Sequence, residues 1–308
     1  MSARRYAAGV FGGLAVLAAA SVLASCTAVQ KGADMLAAQG KISEKDRAAL
    51  VQTSQALRST FADITDEEEY YIGRAVSALL LSQYKTVEAP GLTRYVNLLG
   101  MAIVYSSDRP ETYGGYHFAV LDSDEVNAMA APGGFVFVTR GLLRRCANEE
   151  MLAAVLAHEI GHVSARHGLQ SIKKSRLVDA FTVIGHTAAQ QLNSDQLTKL
   201  TGYFEGALGD VLETLVGRGY DRKYEFEADD LAVKFTARTG YDPRGLAAFL
   251  KTMDQDKPAG PVAGWFKTHP SASDRMARVA TDIKALAAVP ATLDVRTARF
   301  AAAVKGVK

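Results

Sequence analysis

Apolar residues recur along the first third of this chain with the period of helices. One helical pattern begins at Asp66, where an acidic first turn suits the positive end of the helix dipole, and a second covers residues 92–104. The apolar face of the first helix comprises Ile72, Val76, Leu79 and Leu80. Both helices therefore need a core on which to bury one face.

The pattern then changes to strands and returns to helices. Two strand-like runs, His117–Leu121 and Phe135–Val138, are predicted, with Pro132–Gly134 as the turn before the second. Residues 148–166 are apolar on nearly every side, which predicts a buried helix, and helical patterns continue to about residue 286. The predicted fold class is therefore α+β, mainly helical, with a small antiparallel sheet packed on the helices.

Residues 170–219 allow two interpretations. They carry apolar residues at helical spacing, which favours packing in the core. Several glycines, up to Gly219, would also suit a lid over a cleft, because glycine absorbs the backbone changes that a lid requires.

The chain begins with the pattern of an export signal. Arg4 and Arg5 precede an apolar run over residues 6–24, and the run closes with small residues. An uncleaved membrane-spanning helix is one alternative, because about 18 apolar residues can just cross a bilayer. The paired arginines would also suit twin-arginine export.

The end of this signal predicts a lipid anchor. Leu23-Ala24-Ser25-Cys26 resembles the bacterial lipobox, in which the cysteine is acylated and becomes the mature N-terminus. Acylation of Cys26 would tether the chain to a membrane. An aspartate after that cysteine would retain a lipoprotein at the inner membrane, so Thr27 favours the periplasmic face of the outer membrane.

Composition excludes other classes of protein. A formal net charge of +2 and 48% hydrophobic residues are ordinary for a globular protein, and we expect no nucleic-acid partner. No internal repeat is visible, which excludes a helical-repeat array. With Cys26 acylated, Cys146 would have no partner for a disulfide, so the fold must rest on its core.

The run His158-Glu159-Ile160-Gly161-His162 carries the main chemical signal. At about 100° per residue, His158 and His162 project from one face of a helix, one turn apart, where two imidazoles can share a tetrahedral cation. Glu159 beside them is placed to take a proton from a metal-bound water rather than to bind the metal. Zinc still needs a third protein ligand.

The third ligand does not follow in the same stretch. The template His-Glu-x-x-His-x-x-Gly-x-x-His requires glycine at 165 and histidine at 168, where this chain has Ala165 and Gly168. His167 would be rotated about 140° off the metal face of a continuing helix, so we interpret it as a polar residue near a helix end. A glutamate on a later helix remains, as in His₂Glu sites with the fourth position open to water.

Residues 220–232 are the best candidate for that later helix. Glu225 and Asp229 lie four apart and share a face, whereas Glu227 is rotated about 200° from Glu225 and would point away. Asp229 could accept the free ring N–H of a ligating histidine. A solvated acidic face, balanced by the neighbouring basic residues, is the alternative interpretation.

Three stretches of the sequence together resemble a known protein family. Glu225-Phe226-Glu227-Ala228-Asp229, downstream of the paired histidines, resembles the Glu-x-x-Ala-Asp motif of the HtpX, Oma and CAAX-prenyl-protease family of gluzincin metallopeptidases. Residues 127–142 are similar to the family's strand and turn ahead of the metal helix. Thr268-His269-Pro270-Ser271, followed by Arg275, is similar to its C-terminal element. The resemblance covers residues 66–286, and Cys26 points to a lipoprotein subset of the family.

The resemblance implies a catalytic zinc site with one zinc ion per chain. It implies that His158, His162 and Glu225 bind the metal, that Asp229 supports a ligating histidine, and that Glu159 is the general base. His269 is the first candidate for stabilising the oxyanion, and Arg275 is the second. His269 could instead move onto the open zinc position and block water.

The resemblance also implies a site for an extended protein or peptide substrate. The strand over residues 133–139 would be a sheet edge facing the cleft, where main-chain hydrogen bonds can pair with a substrate. The residues proposed for this edge are Gly133, Gly134, Phe135, Val136 and Phe137. As a plain core strand, the same residues would have no such role.

Together these observations predict a zinc-dependent metalloendopeptidase of the bacterial cell envelope that cleaves misfolded or unassembled envelope proteins, with outer-membrane assembly machinery as a candidate partner. The rival hypothesis is a non-catalytic chaperone or assembly factor with a latent zinc site, although an intact Glu159 argues against a purely structural metal. Hydrolysis of a non-peptide substrate also stays open. The predicted parts are a lipoprotein signal peptide over residues 1–25, an N-terminal tether and helix over 26–62, the metallopeptidase domain over 63–290 and a C-terminal tail over 291–308.

Overall fold

The computed structural model describes residue 43 and residues 64–172, 194–255, 264–269 and 272–307. The predicted signal peptide, Cys26 and nearly all of the tether lie outside these ranges. So do Pro270, Ser271 and residues 173–193 of the segment with two interpretations. The division of the chain into four parts therefore stays a prediction.

Helices make up most of the described structure. In chain order they are α1 (Asp66–Gln83), α2 (Pro90–Val104), α3 (Arg140–Arg145), α4 (Glu149–Ser164), α5 (His167–Gln170), α6 (Ser194–Glu213), α7 (Arg222–Thr239), α8 (Arg244–Gln255), α9 (Trp265–Thr268), α10 (Ala272–Lys284) and α11 (Asp294–Ala303). A π-helical stretch, Thr214–Arg218, continues α6. None of the helices within the described ranges is both long and apolar enough to cross a bilayer.

Helix α1 begins at a capping box. The Thr65 hydroxyl accepts a hydrogen bond from the Glu68 backbone N–H at 3.2 Å, and the Glu68 carboxylate accepts one from the Thr65 N–H at 2.8 Å. Val76 and Leu80 are fully buried, as the pattern predicts. Leu79 is 41% exposed, so the buried stripe of α1 is narrower than expected.

Among the described residues, the sheet has three strands, β1 (His117–Leu121), β2 (Ala128–Ala131) and β3 (Phe135–Thr139), in the order β1-β3-β2. Strand β3 is antiparallel to β2 but parallel to β1, so the expected antiparallel sheet is in fact mixed. The reason is β2, whose Ala-Met-Ala-Ala sequence has little intrinsic strand preference and was not predicted as a strand. It forms a hairpin with β3, and this inserts β3 beside β1 in the parallel direction.

The predicted substrate edge is wrong for the same reason. Phe135, Val136 and Phe137 lie on the central strand, where both sides of the backbone are already paired. Gly133 and Gly134 form the turn before it, with φ of 75° and 105°, in the left-handed region that favours glycine. Within the part of the chain that the structure describes, the outer strands are β1 and β2, so a free edge for a substrate would belong to one of them.

Helix α4 runs through the centre of the described structure. Every residue from Glu149 to Val163 is buried, and the Asn148 side chain caps the first turn by accepting from the Met151 N–H at 3.0 Å. Helix α7 packs closely on α4. A Cβ at Gly161 would lie only 3.2 Å from the Ala228 carbonyl oxygen. The α+β fold with a small sheet packed on the active-site helix is thus confirmed.

Helix α11 lies in the predicted C-terminal tail and is bound to the start of α4. Arg296 Nη1 donates to Glu150 Oε1 at 3.1 Å, and Arg299 Nε donates to Glu149 Oε2 at 2.8 Å. Phe300 is buried beside them. The two arginines neutralise carboxylates that α4 buries in its first turn.

Candidate metal centre

Helices α4 and α7 bring two histidines and a glutamate to one point. The Nε2 atoms of His158 and His162 lie 3.2 Å apart. Glu225 Oε2 is 3.6 Å from His158 Nε2, and Glu225 Oε1 is 3.5 Å from His162 Nε2. His269 joins the group from the residue after α9, so that the ligand atoms of all four residues lie within 4.8 Å of one another, and all four are buried.

The donor set and its burial fit a zinc ion. Neither carboxylate oxygen of Glu225 has a hydrogen-bond partner among the described residues, although both are buried. An unsatisfied buried carboxylate is costly, and a cation held between its oxygens and two imidazole nitrogens would satisfy it. Two histidine nitrogens with one glutamate oxygen form the His₂Glu donor set of catalytic zinc sites.

Charge on Glu225 is favoured even without the metal. Burial opposes ionisation, but the positive or polar groups around it, beginning with His269 and the two α4 histidines, hold the pKa of this carboxyl well below its usual range. Arg275 contributes to the same effect, because its Nη1 lies 3.3 Å from Glu225 Oε2. The carboxylate is therefore ready to bind a cation.

Asp229 and Arg275 lie behind His158. The Asp229 Oδ1 atom is 3.0 Å from His158 Nδ1, the ring nitrogen that points away from the cluster. Arg275 is fully buried and donates twice to Asp229, from Nε at 2.8 Å and from Nη2 at 2.7 Å. Burial alone would raise the pKa of Asp229, but Arg275 and His158 lower it to about 2. Asp229 is thus placed where the sequence expected it, and Arg275 is turned toward the carboxylates.

His167 lies behind His162, which the sequence analysis did not anticipate. Its Nδ1 is 2.9 Å from His162 Nδ1, and its Nε2 is 3.3 Å from Glu227 Oε2. The expected rotation assumed a continuous helix, but α4 ends at Ser164 and Arg166 adopts a left-handed φ of 57°. Arginine is seldom found in that conformation, so no local signal predicted the reversal.

Glu159 lies on α4 next to the cluster and is 1% exposed. Its burial raises the pKa of the carboxyl to about 7, where it can both accept and release a proton near neutral pH. Glu159 Oε1 is 3.8 Å from His269 Nε2.

A small cavity of about 10 Å³ lies beside Glu159, which is close to the space that one water molecule occupies. The lining residues come from β2, from α4, from the start of the π-helical stretch and the two residues after it, and from α9 and the residue that follows it: Ala128, Met129, Ala130, Glu159, Thr214, Leu215, Gly219, Tyr220, Thr268 and His269. Three of the four β2 residues therefore line the cavity beside the candidate metal centre. Thr214, Leu215 and Gly219, which belong to the segment with two interpretations, line this cavity.

Two aromatic contacts hold the imidazoles of His269 and His162. The His269 ring stacks on Trp265 with centroids 3.7 Å apart, and its Nδ1 lies 2.9 Å from the Thr268 hydroxyl. This directs His269 Nε2 at Glu159 and Glu225. The Tyr220 ring stacks on His162 at 4.2 Å, and its hydroxyl donates to the Ala130 carbonyl oxygen on β2 at 3.2 Å.

Comparison with known proteins identifies the family that carries this cluster. Residues 91–283 match the model of peptidase family M48, a stretch that runs from α2 to α10 and includes every residue of the candidate metal centre. The chain belongs to peptidase family M48. The resemblance to the HtpX, Oma and CAAX-prenyl-protease family is therefore confirmed.

Several M48 relatives share part of their length with this chain. The beta-barrel assembly-enhancing protease of Escherichia coli K12 is 30% identical over 192 residues, which cover 62% of this chain and 39% of that protein. The mitochondrial metalloendopeptidase OMA1 of Schizosaccharomyces pombe is 29% identical over 227 residues, 72% of this chain and 63% of that protein. Metalloprotease YcaL of Escherichia coli K12 is 31% identical over 162 residues, 52% and 59%. This M48 chain thus spans less than two thirds of the length of each.

Proposed function

We propose that this M48 chain is a zinc-dependent metalloendopeptidase with one zinc ion per chain. The observation that carries the proposal is the buried Glu225 carboxylate, which has no hydrogen-bond partner among the described residues and faces the Nε2 atoms of His158 and His162, with a buried Glu159 beside them. Structural zinc sites fill all four positions with cysteine or histidine, so a glutamate ligand such as Glu225 with a second buried carboxylate beside it indicates a catalytic site.

The chemistry follows from the roles that these residues can fill. When bound, zinc would polarise the scissile carbonyl and make a water more acidic. Glu159 accepts a proton from that water and passes it to the leaving amine, two transfers that suit a pKa near neutral. His269 Nε2 faces the same cavity, where it either donates to the developing oxyanion or occupies the fourth metal position.

We further propose that an extended peptide substrate pairs with the free edge of β2, Ala128–Ala131. Ala128, Met129 and Ala130 line the cavity beside Glu159, and strand addition requires only main-chain groups. The Tyr220 hydroxyl bonds to the Ala130 carbonyl oxygen, so a substrate on this edge would have to displace it. Pairing through the backbone accepts varied sequences, which suits misfolded or unassembled proteins.

The proposed location is the cell envelope, with the chain anchored through acylated Cys26 at the periplasmic face of the outer membrane. The lipobox-like ending supports the anchor, and Thr27 supports the outer membrane. Similarity to a protein named beta-barrel assembly-enhancing protease supports outer-membrane assembly machinery as a partner.

The proposed activity is tested with Glu159→Gln, which keeps the side-chain shape but cannot accept the proton. We expect zinc to stay bound at one per chain, and cleavage of an unfolded test protein to fall by about 10²–10⁴-fold. Unchanged cleavage by the variant would show that Glu159 is not the general base. A wild-type protein that binds zinc, cleaves nothing and still prevents aggregation of the test protein would favour the chaperone hypothesis.

A further inference from the structure

The two α4 histidines have different partners at their outer ring nitrogens. Behind His158, the partner is the Asp229 carboxylate, which is in turn paired with Arg275. Behind His162, the partner is a second imidazole, His167. Such a partner decides which tautomer a metal ligand adopts and how its ring is oriented. The two ligands are therefore held by different chemistry.

The chemistry of a metal-binding histidine fixes which residue donates in the hydrogen bond between His162 and His167. A histidine that offers Nε2 to a metal carries its proton on Nδ1, so His162 Nδ1 must be the donor of the 2.9 Å contact with His167 Nδ1. A neutral imidazole has one donor and one acceptor, so His167 then carries its proton on Nε2. That N–H faces Glu227 Oε2 at 3.3 Å, and both donors and both acceptors are satisfied.

The fold fixes His167 in this position. The left-handed backbone at Arg166 turns the chain back after α4, so that His167 opens α5 facing His162. Arg166 is held by two contacts, with Nε 2.9 Å from Glu69 Oε2 and Nη2 donating to the Ile64 carbonyl oxygen at 2.6 Å. His167 is fully buried. An apolar ring in its place would leave the His162 N–H buried without an acceptor, which is costly.

We propose that His167 is a positioning residue for the metal: it accepts the Nδ1–H of His162, donates its own Nε2–H to Glu227, and so keeps His162 Nε2 directed at the cluster. The inference rests on the proposed function, because it takes His162 to be a zinc ligand. Glu227, 57% exposed, carries the chain of hydrogen bonds to the surface, whereas Asp229 and Arg275 behind His158 are closed to solvent.

The test compares acceptor-free and acceptor-retaining variants of His167. His167→Leu and His167→Phe remove the acceptor, and phenylalanine also keeps an aromatic ring beside Tyr224, whose ring centroid lies 4.6 Å from that of His167. His167→Asn places an amide oxygen near the position of Nδ1. Zinc affinity, measured by competition with a chelator, should fall about 10–100-fold in the leucine and phenylalanine variants and stay close to wild type with asparagine.

A second readout follows the proton itself. NMR of the zinc-loaded protein should show a slowly exchanging Nδ1–H signal for His162 in the wild type and in His167→Asn, and its loss in both acceptor-free variants. Glu227→Leu should weaken zinc binding less than His167→Leu, because water can replace an exposed acceptor. His117→Leu is the matched control, since His117 is exposed and contacts only the Gly114 carbonyl oxygen and the Phe135 ring among the described residues.

The possible results separate the two proposals. A wild-type protein that binds no zinc would overturn the proposed function. A wild type that binds zinc, together with leucine and phenylalanine variants that bind it equally tightly and keep the His162 signal, would overturn the positioning role alone. Thermal unfolding of the zinc-free proteins shows which variants are folded. If His167→Leu does not fold, His167→Phe is compared with His167→Asn instead.

Discussion

At the scale of single residues, Arg275 shows how burial decides what a charged side chain can do. The sequence suggested it as a second candidate for oxyanion stabilisation. In the structure it is fully buried behind the cluster, with two hydrogen bonds to Asp229 and an ion pair with Glu225. These contacts favour a positioning role: Arg275 holds Asp229 against His158 and lies beside Glu225.

This placement predicts a large loss of stability for Arg275→Leu. Removing one partner of a buried ion pair leaves uncompensated charge, and we expect the free energy of unfolding of the zinc-free protein to fall by about 3–5 kcal/mol. Denaturant titration measures it. Arg278→Leu is the matched control on the same helix, because Arg278 and Asp230 are paired in partial contact with solvent and should cost less than about 1 kcal/mol. Equal losses would contradict the role given to burial.

Another property of single residues is the direction of a side chain along a helix. The four-residue spacing of His158 and His162, and of Glu225 and Asp229, follows from helix geometry alone and could be predicted. The position of His167 could not, because it depends on where α4 ends and on a left-handed Arg166 that Glu69 and Ile64 hold from a distant part of the chain.

At the scale of elements, the packing of α1 on the turn before β3 depends on a glycine. A Cβ at Gly73 would lie 1.8 Å from the Pro132 carbonyl oxygen, which is far inside van der Waals contact. Helix α1 can therefore approach the sheet only because this position has no side chain. The sequence predicted α1 and the turn separately, but not that they touch.

The contact predicts opposite effects for two glycine substitutions. Gly73→Ala should lower the free energy of unfolding by about 1–3 kcal/mol, because α1 must move away from the turn. Gly202 lies inside α6, where an added Cβ would have no heavy atom within 4 Å beyond the neighbouring helix backbone. Gly202→Ala should therefore stabilise the protein by up to about 1 kcal/mol, because alanine has the higher helix propensity. Denaturant titration of both variants checks this. A destabilising effect of similar size at both positions would refute it.

Strand pairing is decided at the same scale. Periodicity identified β1 and β3 because their side chains favour strands, but it missed β2 and therefore gave the wrong direction to the sheet. With β2 in place, the strand beside Glu159 is Ala128–Ala131 rather than the strand that begins at Phe135. The proposed substrate-binding edge is therefore that of β2 and not that of β3.

At the scale of the whole molecule, a bound metal should stabilise the fold. The candidate ligands lie on α4, on α7 and beside α9, so one ion would join elements that are distant in the sequence. Any ligand that binds only the folded state raises its stability by mass action.

Removal of zinc is therefore predicted to lower thermal stability. With free zinc at about 1,000 times its Kd, binding should contribute about 4 kcal/mol, seen as a rise in Tm that a chelator reverses. Glu225→Ala should abolish the zinc-dependent part of Tm, whereas Glu205→Ala, at an exposed position on α6, should keep it. Zinc bound at one per chain with an unchanged Tm shift in Glu225→Ala would show that Glu225 is not the third ligand.

The sequence by itself determined what depends on neighbours along the chain: the main helices, the two side chains that α4 presents on one face, the pair that α7 presents on another, and the family to which the chain belongs. Only the tertiary structure decided which strand is central, which strand lies beside Glu159, how Arg275 is buried and that His167 lies behind His162. These features depend on contacts between residues far apart in sequence. Local periodicity does not report on such contacts, because the same spacing of apolar residues arises whatever the helix or strand packs against.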